Sequence, residues 1–177
     1  GDAITTGVSN VAVGYKALST NVDGDGLTAI GFEALENFEP SDGLRYTVAV
    51  GYQAGKACTA GGDNVFVGGQ AGLAVTLGNN NVAIGKSALS TNVQGDRNVA
   101  VGHEALKVAN PSGDVDTNNT AVGYQAGVAN TTGKITAVGA KVLASNTTGI
   151  NNAGFGGETD TFGAALQDNT TGSNNSA

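Results

Sequence analysis

One phrase governs this chain. Asn10-Val11-Ala12-Val13-Gly14-Tyr15-Lys16-Ala17-Leu18 returns along its whole length, with its glycine as a fixed anchor at Gly14, Gly31, Gly51, Gly68, Gly85, Gly102, Gly123, Gly139 and Gly156. Successive anchors lie 17, 20, 17, 17, 17, 21, 16 and 17 residues apart. A fixed period of this length marks a repeat architecture in which each unit buries its apolar face only by stacking on its neighbours.

The columns around the anchor have narrow chemistry. The residue before it is Val or Ile in every turn but the last, where Phe155 stands. Two before it is Ala, except at Phe66 and Gly154; four before it is Asn at Asn10, Asn64, Asn81, Asn98, Asn119 and Asn152. Three after it is Ala from Ala17 to Ala126, and four after it is Leu or Gly. A second glycine follows the anchor by ten residues at Gly24, Gly61, Gly78, Gly95, Gly133 and Gly149, and slides to Gly43 and Gly113 in the two long turns. Length varies between the Ala-Leu/Gly pair and this second glycine, which marks a loop, because loops accept insertions and paired strands do not.

Asn-Val-Ala-Val-Gly is strand composition bounded by turn residues. A second short strand is expected over Tyr15 to Leu18, after a bend at the anchor. The reading is an all-β, parallel β-solenoid with a coil of about 17 residues, its turns stacked about 4.8 Å apart. Residues 1–9 read as the end of a preceding repeat, 10–160 as nine turns, and 161–177 as an irregular turn and the start of another; the chain is expected to continue in both directions. Alternation sets a Val/Ile ladder on one strand face and an Ala ladder on the other. Stacked Asn amides are expected to bond from turn to turn. So thin a coil struggles to bury enough surface alone, so a homo-oligomer is expected, with the Ala ladder as the seam that lets a second chain approach closely.

Composition excludes several classes. The net charge is −7 and only 13% of residues are charged, which is no footprint for nucleic acid. One Cys and one His close no disulfide and no zinc site. No apolar run is long enough to span a bilayer as a helix. The acids are scattered through turns, with no paired His, nucleophile elbow or phosphate loop; no catalytic residue, metal or cofactor is expected, and the reading is not an enzyme.

Asn81-Val82-Ala83-Ile84-Gly85-Lys86-Ser87-Ala88 resembles the head repeat of trimeric autotransporter adhesins. Asn119-Thr120-Ala121-Val122-Gly123-Tyr124-Gln125-Ala126-Gly127, followed by Asn130-Thr131-Thr132-Gly133, is more similar to a longer variant found in bacteriophage tail fibres and other surface fibres. The resemblance covers residues 10–177. It implies a left-handed β-roll in a homotrimer: a virion fibre segment at the virion surface that projects or forms a host-recognition surface, with other virion proteins and a host glycan or protein as partners. The alternative is an adhesin head on a bacterial cell surface.

Candidate sites are few. The insertion from Glu36 to Tyr46 concentrates Phe38, Arg45 and Tyr46 where other turns carry Asn and Thr, and these three are the candidate ligand contacts. A second insertion, Lys107 to Asn118, carries Pro111, Asp114 and Asp116. His103, alone in a column otherwise holding Tyr15, Phe32, Tyr52 and Tyr124, reads as a surface residue. Cys58 reads as a semi-buried turn residue rather than a nucleophile. Asp23-Gly24-Asp25-Gly26 suggests calcium but is ordinary turn chemistry. The Asn-x-Ser/Thr triplets arise from composition. An ice-binding face would need a regular Thr array, which Val interrupts. A polysaccharide-cleaving solenoid would need clustered carboxylates.

Overall fold

The computed structural model describes residues 1–40, 45–109, 115–158 and 163–177. It contains strands and turns and, among these residues, no helix. The strands are β1 (Val11–Val13), β2 (Thr28–Ile30), β3 (Val48–Val50), β4 (Val65–Val67), β5 (Val82–Ile84), β6 (Gly95–Asp96), β7 (Val99–Val101), β8 (Val115–Asp116), β9 (Thr120–Val122), β10 (Ile135–Val138) and β11 (Asn152–Phe155). Nine of them form one sheet in the order β1-β2-β3-β4-β5-β7-β9-β10-β11; β6 and β8 form a separate pair. All pairings between named strands are parallel, and the columns align, as in Val82↔Val99, Ala83↔Ala100 and Ile84↔Val101. The chain is a parallel β-solenoid with one coil per repeat. The last residues continue it, with Ala153 bridged to Ser176.

The segment after the anchor is not the expected second strand. Lys16 and Leu18 are left-handed, at φ 55° and 50°, and the pattern repeats at Ser87 and Leu89 and at Lys141 and Leu143. Alternating left-handed residues curl the chain instead of extending it. The corner still stacks by hydrogen bonds: the N–H of Gly72 donates to Ala88 C=O at 2.9 Å, Leu89 to Ala105 at 3.0 Å and Leu106 to Ala126 at 3.0 Å. The column four after the anchor is thus a left-handed position with an inward side chain. Gly suits its backbone and Leu suits its core, which is why those two types alternate there.

The anchor glycine is required twice over. Gly85 sits at φ 126°, and a Cβ there would lie 2.6 Å from the carbonyl oxygen of Gly102 in the next turn.

The core runs up the inside of the coil. Ala29, Ala49, Phe66, Ala83, Ala100, Ala121 and Ala137 are all fully buried, together with Leu18, Leu35, Leu89, Leu106 and Leu143. The Ala ladder therefore lies inside one chain and cannot be the seam expected between chains. The coil is thin, and most rungs place only a methyl group at this inward strand position, Phe66 being the large exception.

The Asn ladder is present and buried. The Asn81 N–H donates to Asn64 Oδ1 at 2.9 Å, and Asn98 donates from its N–H (2.9 Å) and its Nδ2 (3.0 Å) to Asn81 Oδ1. Each side chain also braces its own rung: Asn64 Nδ2 donates to Gly78 O at 2.8 Å and Asn81 Nδ2 to Gly95 O at 2.9 Å. A second buried Asn column lies seven after the anchor, at Asn21, Asn92, Asn130 and Asn146. Asn92 Oδ1 accepts the Gly95 N–H at 2.7 Å while its Nδ2 donates to Gly95 O at 3.1 Å, closing the return turn. Buried polar groups inside the coil are satisfied by these amides.

Candidate functional site

The outer face of the sheet belongs to the residues flanking the alanines. Val13 is 55% exposed, and Ile84 is 40% exposed although its strand neighbour Ala83 is fully buried. Beside this row runs the column just after the anchor. Tyr15, Phe32 and Tyr52 stack there with ring centroids 5.2 and 5.4 Å apart, and His103 stacks on Tyr124 at 5.6 Å. Their spacing follows from the rung-to-rung rise and the parallel register. The rings remain exposed at Tyr15, Phe32, Tyr52 and Tyr124. A Val/Ile row thus faces outward along the rod, flanked by two stacked aromatic groups that Gly69 and Lys86 separate, the kind of surface that marks an interaction site.

A charged fringe borders the stripe. Lys56 Nζ lies 2.5 Å from Glu33 Oε2 and 3.2 Å from Glu36 Oε2, and Lys16 Nζ 2.8 Å from Glu36 Oε1. Gln53 donates to Glu33 at 2.8 Å. Lys107 pairs with Glu104 at 2.6 Å and Lys141 with Glu158 at 2.7 Å. Hydrogen bonds from Lys56 and Gln53 hold the Glu33 carboxyl below its ordinary pKa, those from Lys16 and Lys56 do so for Glu36, and those from Lys107 and Gln125 for Glu104. The same bonds push Lys16 and Lys56 upward. Apart from Lys107–Glu104, which lies within one turn, these contacts tie adjacent turns together across the corner.

The structure separates the three residues expected to act as one ligand-contact loop. Phe38 is fully buried. It occupies the second Asn column, seven after its anchor, so its ring offers no surface to a ligand. Arg45 is half-buried, with its side chain over Gly62, and Tyr46 is exposed with its ring against Gly26. Tyr46 takes the left-handed position (φ 32°) that other turns give to Gly26, Asp63 or Asn80. Residues 41–44 and 110–114 of the two insertions, with Pro111 and Asp114, lie outside the described residues, as do the side chains of 115–116, so Asp116 is placed only by its backbone.

Cys58 is fully buried rather than semi-buried. It also stands in the second Asn column, its thiol donating to Gly61 O at 3.4 Å, and burial pushes it up to about 12. Asp25 is a turn residue: its Oδ1 accepts the Val8 N–H at 2.6 Å. Among the described residues no group of three or more His, Cys, Asp or Glu could hold a metal ion. Asn130 and Asn146, in two of the Asn-x-Thr triplets, are buried.

Sequence reasoning missed the second Asn column and assigned the outward surface to the wrong ladder. The signal for the first was visible: Asn-x-x-Gly recurs at Asn21–Gly24, Asn92–Gly95, Asn130–Gly133, Asn146–Gly149 and Asn169–Gly172. For the second there was none, because alternation separates two faces without saying which is inside. Comparison of the chain with protein-family models, with characterised proteins and with solved structures finds no match.

Proposed function

We propose that this chain is a structural segment of a bacteriophage tail or surface fibre: a left-handed β-solenoid, assembled as a homotrimer, that projects or forms a host-recognition surface on the virion. The observation that carries the reading is the outward stripe of Val, Ile and stacked aromatics on a rod whose own core is already closed. An apolar stripe of nine rungs, about 40 Å long at about 4.8 Å per rung, suits a partner of equal length and equal pitch. A second copy of the same chain is such a partner, and the fibre resemblance sets the number at three. The seam is then the Val/Ile and aromatic rows, with the alanines reserved for the inside. Function in such a fibre is mechanical and multivalent: stacked ladders stiffen the rod, and threefold repetition raises avidity for weak surface ligands.

Light scattering tests this directly. The expected mass is three times the 17.3 kDa chain. Ile84→Lys and Val101→Lys, which place charges in the proposed seam without touching the core, should convert that mass to a folded monomer. A monomeric mass for the unaltered protein would overturn the trimer and leave a self-sufficient rod.

A further inference from the structure

The turn between β9 and β10 is one residue short. Gly133 and Ile135 are separated by a single residue, whereas Gly78 and Asn81, Gly95 and Asn98, and Gly149 and Asn152 are separated by two. The missing position has a structural consequence. In the neighbouring turns the residue before the ladder bulges outward in the left-handed conformation, at Asn118 (φ 49°) and Asn151 (φ 56°); Lys134, between them, does not. The corner is cut there, and a cleft of about 250 Å³ opens on the outer surface. Asn118 and Asn151 wall it from the rungs on either side, about 9.6 Å apart at two rungs of rise. Lys134, Thr136 and Ala153 line it between them.

The chemistry of this cleft is specific. Lys134 is exposed and makes no ion pair among the described residues, unlike Lys16, Lys56, Lys107 and Lys141. Among the described residues no carboxylate lines the cleft; Asp114 and the Asp116 side chain lie outside them. In a chain of net charge −7 it is a local site for an anion. The amides of Asn118 and Asn151 and the Thr136 hydroxyl supply donors and acceptors, the complement of adjacent hydroxyl groups, and Ala153 supplies apolar surface for a C–H face, while the Ile135 side chain is turned into the core.

We propose that this cleft binds an acidic monosaccharide unit of the uronic-acid class. Lys134 takes the carboxylate, and Asn118, Asn151 and Thr136 take ring hydroxyls. The site deepens the recognition role proposed above and rests on it only for its biological purpose. It opens on the side of the strands away from the aromatic row.

The test is a titration of the isotope-labelled protein with glucuronate, followed by amide chemical shifts. Shifts confined to residues 118, 134–136 and 151–153, with a Kd of about 1 mM, are expected for so small a ligand. Glucose should bind about tenfold more weakly, as should glucuronate to Lys134→Ala, because one charge-assisted contact is lost. Insertion of an Asn between Gly133 and Lys134 restores the regular spacing, so it should abolish the shifts while leaving the coil intact. Absence of localised shifts, or shifts that survive both variants, overturns the proposal. So does inorganic phosphate acting as well as glucuronate, which would leave an anion site without sugar recognition. A trimeric mass with an unresponsive cleft would refute this inference and spare the fibre reading; a monomer with a responsive cleft would do the reverse.

Discussion

Two stretches of the rod fill the same cross-section by different means. Around β5 and β7 the rung is built from Ala83 or Ala100 on the strand and Leu89 or Leu106 at the corner. Around β4 the strand carries Phe66, and the corners of its own turn and the preceding one carry Gly72 and Gly55. A Cβ at Gly55 would lie 2.7 Å from the Phe66 ring, and one at Gly72 would press directly on the same ring. The ring occupies the space that two leucines hold elsewhere. The same trade recurs at Gly127, where Ile135 replaces the ladder Asn and its Cδ1 would lie 2.5 Å from a Cβ. The repeat therefore conserves the volume of a rung rather than the residue at each position, as close packing demands.

Phe66→Ala should break the comparison most sharply. It leaves two glycine corners facing an empty centre and should cost about 3–5 kcal/mol, read as a shift in the urea midpoint. Adding Gly72→Leu to Phe66→Ala should recover part of that loss, whereas Gly72→Leu alone should destabilise, since the ring already fills the site. Non-additivity in this cycle is the signature of shared volume; strict additivity would refute it.

Asn81→Ala should have the next largest effect. It strands the N–H and the amide of Asn98, and it leaves Gly95 O with Asn92 as its remaining side-chain donor. Each buried polar group left without a partner costs about 1–3 kcal/mol. The same change at Asn10, where the ladder is only half-buried, should cost less.

The smallest effect is electrostatic. Glu33, Glu36 and Glu104 have folded pKa values below the ordinary carboxylate value of 4.5. Their contribution is present above that value and lost as pH falls through the depressed folded values. A Glu36→Gln variant should therefore lose part of the acid dependence of unfolding while changing little at neutral pH, where the pairs are solvent-screened. An acid profile identical to the parent's would show that the fringe does not brace the turns.

Much of the architecture was legible because it is written nine times over. The anchor spacing located the sheet strands around their glycines, and the Asn column located the polar ladder. Single residues were harder. Phe38 looked like an exposed aromatic in a long loop, yet it stands in a column whose other members, among them Asn21, Cys58 and Val75, differ so much in polarity that composition hid the shared burial. The Tyr15–Leu18 segment has strand-like composition, but alternating left-handed residues turn it into a corner. The cleft at Lys134 was present only as a separation of 16 among values of 17.

Period, parallel pairing and the identity of each ladder follow from sequence alone, because in-register stacking is the only way identical short units can satisfy one another's backbone and side chains. Which ladder faces inward was settled only in three dimensions. Alternation is symmetric between the two faces of a strand. The choice depends on how tightly the corner curls and how much room it leaves: beside Leu89 and Leu106 that room is the width of an alanine, and beside Gly55 and Gly72 it holds the Phe66 ring.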